Sequence, residues 1–282
     1  MLPQPAPKTA IVTGASAGIG RATALGLVRT GMRVVLVGRD RARTKAAQQW
    51  IETRAPGAAP GIAIADFACL ADVRALADNL LARHERIDVL VNNAGLIAPR
   101  YTESADGYEL IMAVNHLAPF LLTNLLLERL TASAPARVVT VASVAHRAET
   151  LDPATMTRPP DWDALSVYGR SKLANILFTR ALARRTEVRV VTVSCLHPGV
   201  VGTDIGNRSG RVKGLAWRLA KPFMPGPDKG AESSIFLATT PDPTPFHGAY
   251  VVKKTVAEPD TAARDDALGE ALWQESARLV GL

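Results

Sequence analysis

The chain has 282 residues, 48% hydrophobic and 21% charged, a balance that excludes disorder and allows one large buried core. Its net charge of +7 comes from 33 basic and 26 acidic residues and reads as an arginine-rich solvated surface. The densest basic cluster, RDRARTK at 39–45, lacks the interleaved aromatics that nucleic-acid binding needs, so no nucleic-acid partner is expected. No apolar run approaches the ~18–20 residues of a membrane span. The first residues, MLPQPAPK, contain no apolar core of a secretory signal, which makes the cytoplasm the expected compartment.

In chain order, TAIVTG (9–14) reads as a strand and is followed by a helical pattern from Gly18 to about Thr30. RVVLVG (33–38) and GIAIAD (61–66) read as strands, and RARTKAAQQWIETR (41–54) and LADVRALADNLLARH (70–84) as helices. IDVLVNN (87–93), ARVVTVAS (136–143), EVRVVTVSC (187–195) and GAYVV (248–252) complete the strands, with helices between them. Short apolar runs alternating with helical periodicity are the signature of a parallel sheet covered on both faces. There is no linker, repeat or low-complexity tract, so residues 1–282 are expected to form one doubly wound α/β domain of Rossmann type. Cys69 and Cys195 have neither metal nor redox spacing, and both are expected to be buried, inert thiols. No metal site is expected.

The turn TGASAGIG (13–20) joins the first strand to the first helix. Gly14, Gly18 and Gly20 permit a tight turn and close backbone approach, and the helix N-terminus beyond them offers free N–H groups, a geometry that holds a pyrophosphate. Further along, Tyr168 and Lys172 lie four apart in SVYGRSKLANILFTR, one turn apart on one helix face. Taken alone, that pair fits an ordinary amphipathic helix as well as a tuned phenol.

TGASAGIG, NNAG (92–95), Asn115, Ser143 and Tyr168-x-x-x-Lys172 occur in the order found in the short-chain dehydrogenases/reductases, and the chain resembles that superfamily from about Lys8 to Thr203. VNHLAPFLLTNLLL (114–127), VASVAHR (141–147) and SKLANILFTRALARR (171–185) are most similar to the retinol dehydrogenase-type branch. The Ser143–Tyr168 interval is longer than in the simplest members and carries Pro153, Pro159, Pro160 and Trp162. Unlike the animal retinol enzymes, the chain is expected to have no membrane-anchoring segment ahead of the first strand.

The resemblance implies a reaction and a site. Tyr168 would be the general acid or base, Ser143 would hold the substrate oxygen, and Lys172 would bond the nicotinamide ribose and lower the phenol's pKa. Bringing a phenol from ~10 to about neutrality requires roughly 4 kcal/mol of preferential phenolate stabilisation, which the Lys172 ammonium and the positive nicotinamide ring of the oxidised cofactor would supply together. Asn115 would place a water in a proton relay behind Lys172. Gly14, Ser16, Gly18, Ile19, Gly20, Asn92, Asn93, Ala94 and Gly95 would line the cofactor, with Asp66 and Phe67 bordering the adenine. Pro198 and Gly199 would shape a turn beside the nicotinamide, and Thr203 would bond a phosphate or amide. His116 and His146 recur in the branch without a catalytic role and read as packing or supporting residues.

Cofactor choice turns on Gly38-Arg39-Asp40. Asp40 superficially satisfies the NAD rule but sits one or two positions late and reads as the cap of the following helix. Arg39 would then pair with a 2′-phosphate, so NADP(H) is expected over NAD(H). Residues 203–227, with Leu215, Trp217, Leu219, Phe223 and Met224, read as a substrate-covering segment, for a lipophilic alcohol or carbonyl compound or as packing alone. HLAPFLLTNLLLERL and KLANILFTRALARR are apolar on more than one face, which fits either a homodimer or extra burial within one chain. The expected function is NADP(H)-dependent interconversion of an alcohol and a carbonyl. Reduction of a conjugated C=C bond, and a non-catalytic dinucleotide-sensing protein, are the alternatives.

Overall fold

In the computed structural model, which describes residues 7–199 and 226–282, one eight-stranded sheet runs in the order β3-β2-β1-β4-β5-β6-β7-β8. Its strands are β1 (Thr9–Thr13), β2 (Arg33–Gly38), β3 (Gly61–Ile64), β4 (Val89–Asn92), β5 (Ala136–Val141), β6 (Val191–His197), β7 (Tyr250–Val252) and β8 (Thr255–Ala257). The first seven are parallel, and β8 is antiparallel to β7. The helices are α1 (Gly18–Arg29), α2 (Arg41–Glu52), α3 (Leu70–Arg83), α4 (Leu110–Ala132), α5 (Ala164–Ala183), α6 (Pro227–Thr239) and α7 (Asp266–Val280).

Side-chain alternation divides the central strands between two cores. Ile11, Val35, Val37 and Leu90 face the layer of α3, α4, α5 and α7, whereas Ala10, Val12, Leu36 and Val91 face α1, α2 and α6. Both faces are covered, which is why the strands read as continuous apolar runs. The sequence places six of the strands within a few residues of their observed limits. It starts β6 too early, since Glu187–Val190 form a turn. It misses β8 because Lys253 and Lys254 turn the hairpin at φ +51° and +66°, positions where Asn-Gly is the usual signal.

Helix α4 corrects one expectation. By length and composition Leu110–Ala132 could cross a membrane, and most of it is buried inside the fold. The sequence reading overlooked it because Asn115, His116, Thr123 and Asn124 interrupt the run. Its second apolar face is covered by the chain's own C-terminal helix. Trp273 of α7 packs on Phe120 at 5.0 Å and stacks on Phe178 at 5.9 Å between ring centroids. Of the two readings of these helices, the described residues therefore show burial within one chain. Cys195 is buried, which pushes its thiol up to about 12, but Cys69 is only partly buried, at the N-cap of α3.

His116 is fully buried between α4 and α7, with Nε2 2.8 Å from Ser276 Oγ. Burial lowers its pKa from 6.5 to about 4. The unfolded chain thus binds a proton that the folded chain refuses between those values, and stability falls as pH drops from 6.5 through 4. The total penalty is ~3 kcal/mol. Urea unfolding of wild type and His116→Gln between pH 4 and 8 should show a shallower acid loss in the variant. Superimposable pH profiles would contradict this account.

Candidate active site

The carboxyl ends of β1, β4, β5 and β6 bring the glycine turn, Asn92–Gly95, Ser143 and Pro198-Gly199 to one rim of the sheet, the usual location of a ligand crevice in such folds. Thr13 fastens the first two together. Its hydroxyl accepts from the Asn93 and Ala94 amides, both at 3.0 Å, and donates to the Val91 carbonyl at 3.2 Å. Asn93 Nδ2 returns a 2.8 Å bond to the Thr13 carbonyl. Thr13 was not singled out in the sequence, where a threonine ending a strand carries no signal beyond its β propensity.

The glycines are required by geometry. Gly14 and Gly18 have φ +65° and +55°, a region other residues avoid. A Cβ on Gly14 would lie 2.8 Å from Ala94 Cα, and one on Gly20 would lie 2.4 Å from Asn93 Nδ2 and 2.5 Å from the Gly14 carbonyl oxygen. Helix α1 has Ala17 at its N-cap and no side-chain cap, so the Gly18, Ile19 and Gly20 amides are left for an anion. Ser16 lies beside Gly38, near Arg39. A close-packed glycine cradle ending in an uncapped helix fits a dinucleotide pyrophosphate.

At the end of β2, Asp40 Oδ1 accepts from the Arg43 amide at 2.8 Å, so the carboxylate is committed to capping α2. Arg39 is exposed and forms no ion pair among the described residues. Asp66 Oδ1 accepts from the Ala68 amide at 3.0 Å. The Phe67 ring is buried in the core, so only its main chain could border a ligand. Asn92 is also turned inward, with Nδ2 donating to Thr123 Oγ1 at 2.9 Å. Gly199 turns the chain after β6 at φ +85°. Thr203 and residues 203–225 of the expected covering segment lie outside the described residues.

Ser143, Tyr168 and Lys172 converge from two elements. Asp163 caps α5 by accepting from the Leu165 and Ser166 amides at 3.0 Å each, which fixes the first turn and aims Tyr168 at the rim. Burial raises the phenol's pKa, and the Ser143 hydroxyl opposes it. Lys172 Nζ is buried, 5.5 Å from the Tyr168 ring centroid, and donates to the Val141 carbonyl at 3.0 Å. Burial lowers its pKa to about 8. The sequence led us to expect a phenol brought down by the ammonium. Within the chain itself burial is the larger effect, and it raises the phenol's pKa.

Asn115 stands in a π turn, Ala113–Leu117. Pro119 has no N–H to give the Asn115 carbonyl four residues earlier, which loosens the helix at this point. The Asn115 side chain is saturated: Oδ1 accepts from the Leu96 amide at 2.8 Å, while Nδ2 donates to the Leu96 carbonyl and Ser171 Oγ, both at 3.0 Å. Its amide therefore clamps the loop after Gly95 to α5.

Two supporting residues escaped the sequence reading. A Cβ on Gly169 would sit 2.5 Å from the Ala145 carbonyl oxygen, so this glycine lets α5 press against the Ser143 turn. A glycine inside a helical pattern was the available signal. Glu109 is fully buried and accepts from Trp162 Nε1 at 3.1 Å and from the Met112 amide at 2.8 Å. The Trp162 bond pins the insertion within the Ser143–Tyr168 interval to the start of α4, and Trp162 and Tyr168 pack on the same cluster of Ala98, Ile111 and Val167.

This arrangement of glycine cradle, uncapped helix and phenol–hydroxyl–ammonium group defines a dinucleotide-binding α/β protein. The family model for short chain dehydrogenase matches residues 8–213. Retinol dehydrogenase 14 from Mus musculus is 41% identical over 98% of this chain and 86% of its own length. Retinol dehydrogenase 13 from Homo sapiens is 37% identical over 98% and 85%. Among solved structures, a Mycobacterium Paratuberculosis protein superposes with a TM-score of 0.77 at 29% identity, covering 97% of this chain and 93% of that one. A Beutenbergia cavernae dehydrogenase solved with bound NADP at low occupancy gives 0.69 at 30%, covering 87% and 94%. The chain belongs to the short-chain dehydrogenase/reductase family of oxidoreductases, in its retinol dehydrogenase-type branch.

Gly20→Ala should displace the Asn93 amide or the Gly14 peptide and weaken dinucleotide binding at least tenfold, with the fold retained. Titration of intrinsic fluorescence with NADPH, beside circular dichroism, checks this. An unchanged dissociation constant would show that the cradle is not the pyrophosphate site.

Proposed function

We propose that this protein is an NADP(H)-dependent oxidoreductase that interconverts a lipophilic alcohol and its aldehyde or ketone. The observation carrying the proposal is the meeting of Tyr168 with Ser143 at the carboxyl end of β5, with Lys172 buried one helical turn on. The nicotinamide, when bound, supplies or accepts the hydride. Every other part of the reaction falls to the chain.

In the reducing direction the Ser143 hydroxyl and the Tyr168 phenol both donate to the carbonyl oxygen, and Tyr168 gives up its proton as negative charge develops there. Burial keeps that proton in place beforehand. Lys172, with its pKa near about 8, is charged at neutral pH and stabilises the phenolate left behind. In the oxidising direction the same groups act in reverse. Ala98, Ile111, Val167 and Trp162 beside Tyr168 favour an apolar substrate, in keeping with the relatives named retinol dehydrogenases.

Arg39 supports the cofactor assignment, because Asp40 is occupied as a helix cap and the guanidinium is exposed at the end of β2. The neighbour solved with NADP agrees with it. Arg39→Asp should replace a phosphate contact by repulsion, raise the KM for NADPH tenfold or more and leave that for NADH nearly unchanged. Wild-type protein turning over NADH as well as NADPH would refute the preference.

Turnover is tested with NADPH and a panel of retinal, decanal, benzaldehyde and cyclohexanone, with absorbance at 340 nm as the readout for the last three and product separation for retinal. Tyr168→Phe should bind NADPH normally and lose ~10² to 10⁴-fold in kcat. A variant retaining most of its activity would remove Tyr168 from the chemistry.

A further inference from the structure

We propose that His146 is a positioning residue that fixes the Ser143 main chain and ties it to the loop after β8, and that it makes the second of these ties only as the neutral imidazole. The inference rests on the catalytic reading of Ser143 given above.

Two hydrogen bonds define the tautomer. His146 Nδ1 lies 2.6 Å from the Ser143 carbonyl oxygen, which can only accept, so Nδ1 carries the proton. Nε2 lies 3.1 Å from the Asp260 amide, which can only donate, so Nε2 is a bare acceptor. The ring is fully buried and packs edge-on to Tyr250 of β7 at 5.1 Å. On its other side, the Ser143 hydroxyl accepts from the Ala145 amide at 3.2 Å. The whole turn is pressed against Gly169 of α5. His146 thus anchors the Ser143 peptide while the Ala145 amide holds its hydroxyl, so a shift of the ring moves the turn that carries that hydroxyl.

A second proton on His146 would set an N–H against the Asp260 N–H and break the link to the C-terminal loop. The groups facing the ring act in both directions. Burial and Arg147 disfavour the charged form, while the Ser143 carbonyl and the Asp260 carboxylate favour it. The balance lowers the pKa. Arg147 is itself held to the Glu258 carbonyl at 3.2 Å, and the Asp260 carboxylate to the Ala148 amide at 2.9 Å. His197 lies on the neighbouring strand, with Nδ1 accepting from the Val144 amide at 3.3 Å, and a charge on either histidine opposes one on the other. Tyr168, whose pKa is raised, stays protonated as the solution is acidified, so it supplies no acid limb of its own.

The test measures kcat and KM for reduction of retinal and decanal by NADPH from pH 5 to 8 in wild type, His146→Asn, His146→Leu and His197→Asn. Circular dichroism and NADPH titration at each pH separate local from global effects. Wild-type kcat should fall below pH 6.5 with NADPH affinity unchanged. His146→Asn can still donate to the Ser143 carbonyl but cannot titrate, so its kcat should stay within ~3-fold of wild type at pH 7 and be flat to pH 5. His146→Leu should lose ~10 to 100-fold in kcat at every pH with little change in KM. His197→Asn should keep the acid limb. A ¹⁵N-resolved histidine spectrum should show the signal missing from His146→Asn as the Nδ1–H tautomer. Full activity in His146→Leu, an acid limb surviving in His146→Asn, or the Nε2–H tautomer would each overturn the proposal. If Tyr168→Phe is inactive while the His146 variants match wild type, this inference alone falls. If Tyr168→Phe is active, the catalytic reading falls first.

Discussion

A parallel sheet buried on both faces leaves chemistry only its rims. The apolar side chains that point off β1, β4 and β5 enter one of the two cores, so polar groups are tolerated there only when bonded. The carboxyl rim is different, because four strands end there together and their loops can be polar without penalty. Thr13, Asn93, Ser143 and Lys172 all lie at or beyond those strand ends. What distinguishes this molecule is how firmly the rim loops are bonded to one another. The Thr13 hydroxyl, the Asn115 amide and the His146 imidazole each link two loops that are far apart in the chain.

The carboxyl rim also depends on backbone proximity, which glycine alone supplies at Gly14, Gly20 and Gly169. The first two let loops interlock beneath a ligand. Gly169 does the same between a helix and a turn, and it sits next to Tyr168, where a helix would ordinarily prefer a better former. The cost in helix propensity, about 1 kcal/mol, is exchanged for the approach of Ser143 to the phenol.

The fold was readable because its signal is redundant: seven apolar strands spaced by helices leave few other architectures. The glycine turn, Ser143, Tyr168 and Lys172 were readable because their types and order are unusual together. Contacts between distant segments were not. Nothing near His146 announces that it meets the Asp260 amide, 114 residues away. Nothing near Glu109 announces the Trp162 indole. Burial at Tyr168 was hidden for a related reason: spacing along a helix reveals a neighbouring ammonium but not the depth at which both groups lie. Phe67 and Asn92 show the same limit, since strand-end position does not say which face a side chain takes.

The covering of α4 and α5 by α7 bears on the order in which the molecule is built. His116 and Ser276 are 160 residues apart, and Trp273 meets Phe120 and Phe178 across comparable spans. During synthesis the glycine cradle and its partners, complete by Gly95, emerge long before α7 does. Phe120 and Phe178 remain without that cover until α7 has been made. A nascent chain thus exposes an aromatic face until its cover arrives, an interval in which a partly folded chain is open to aggregation.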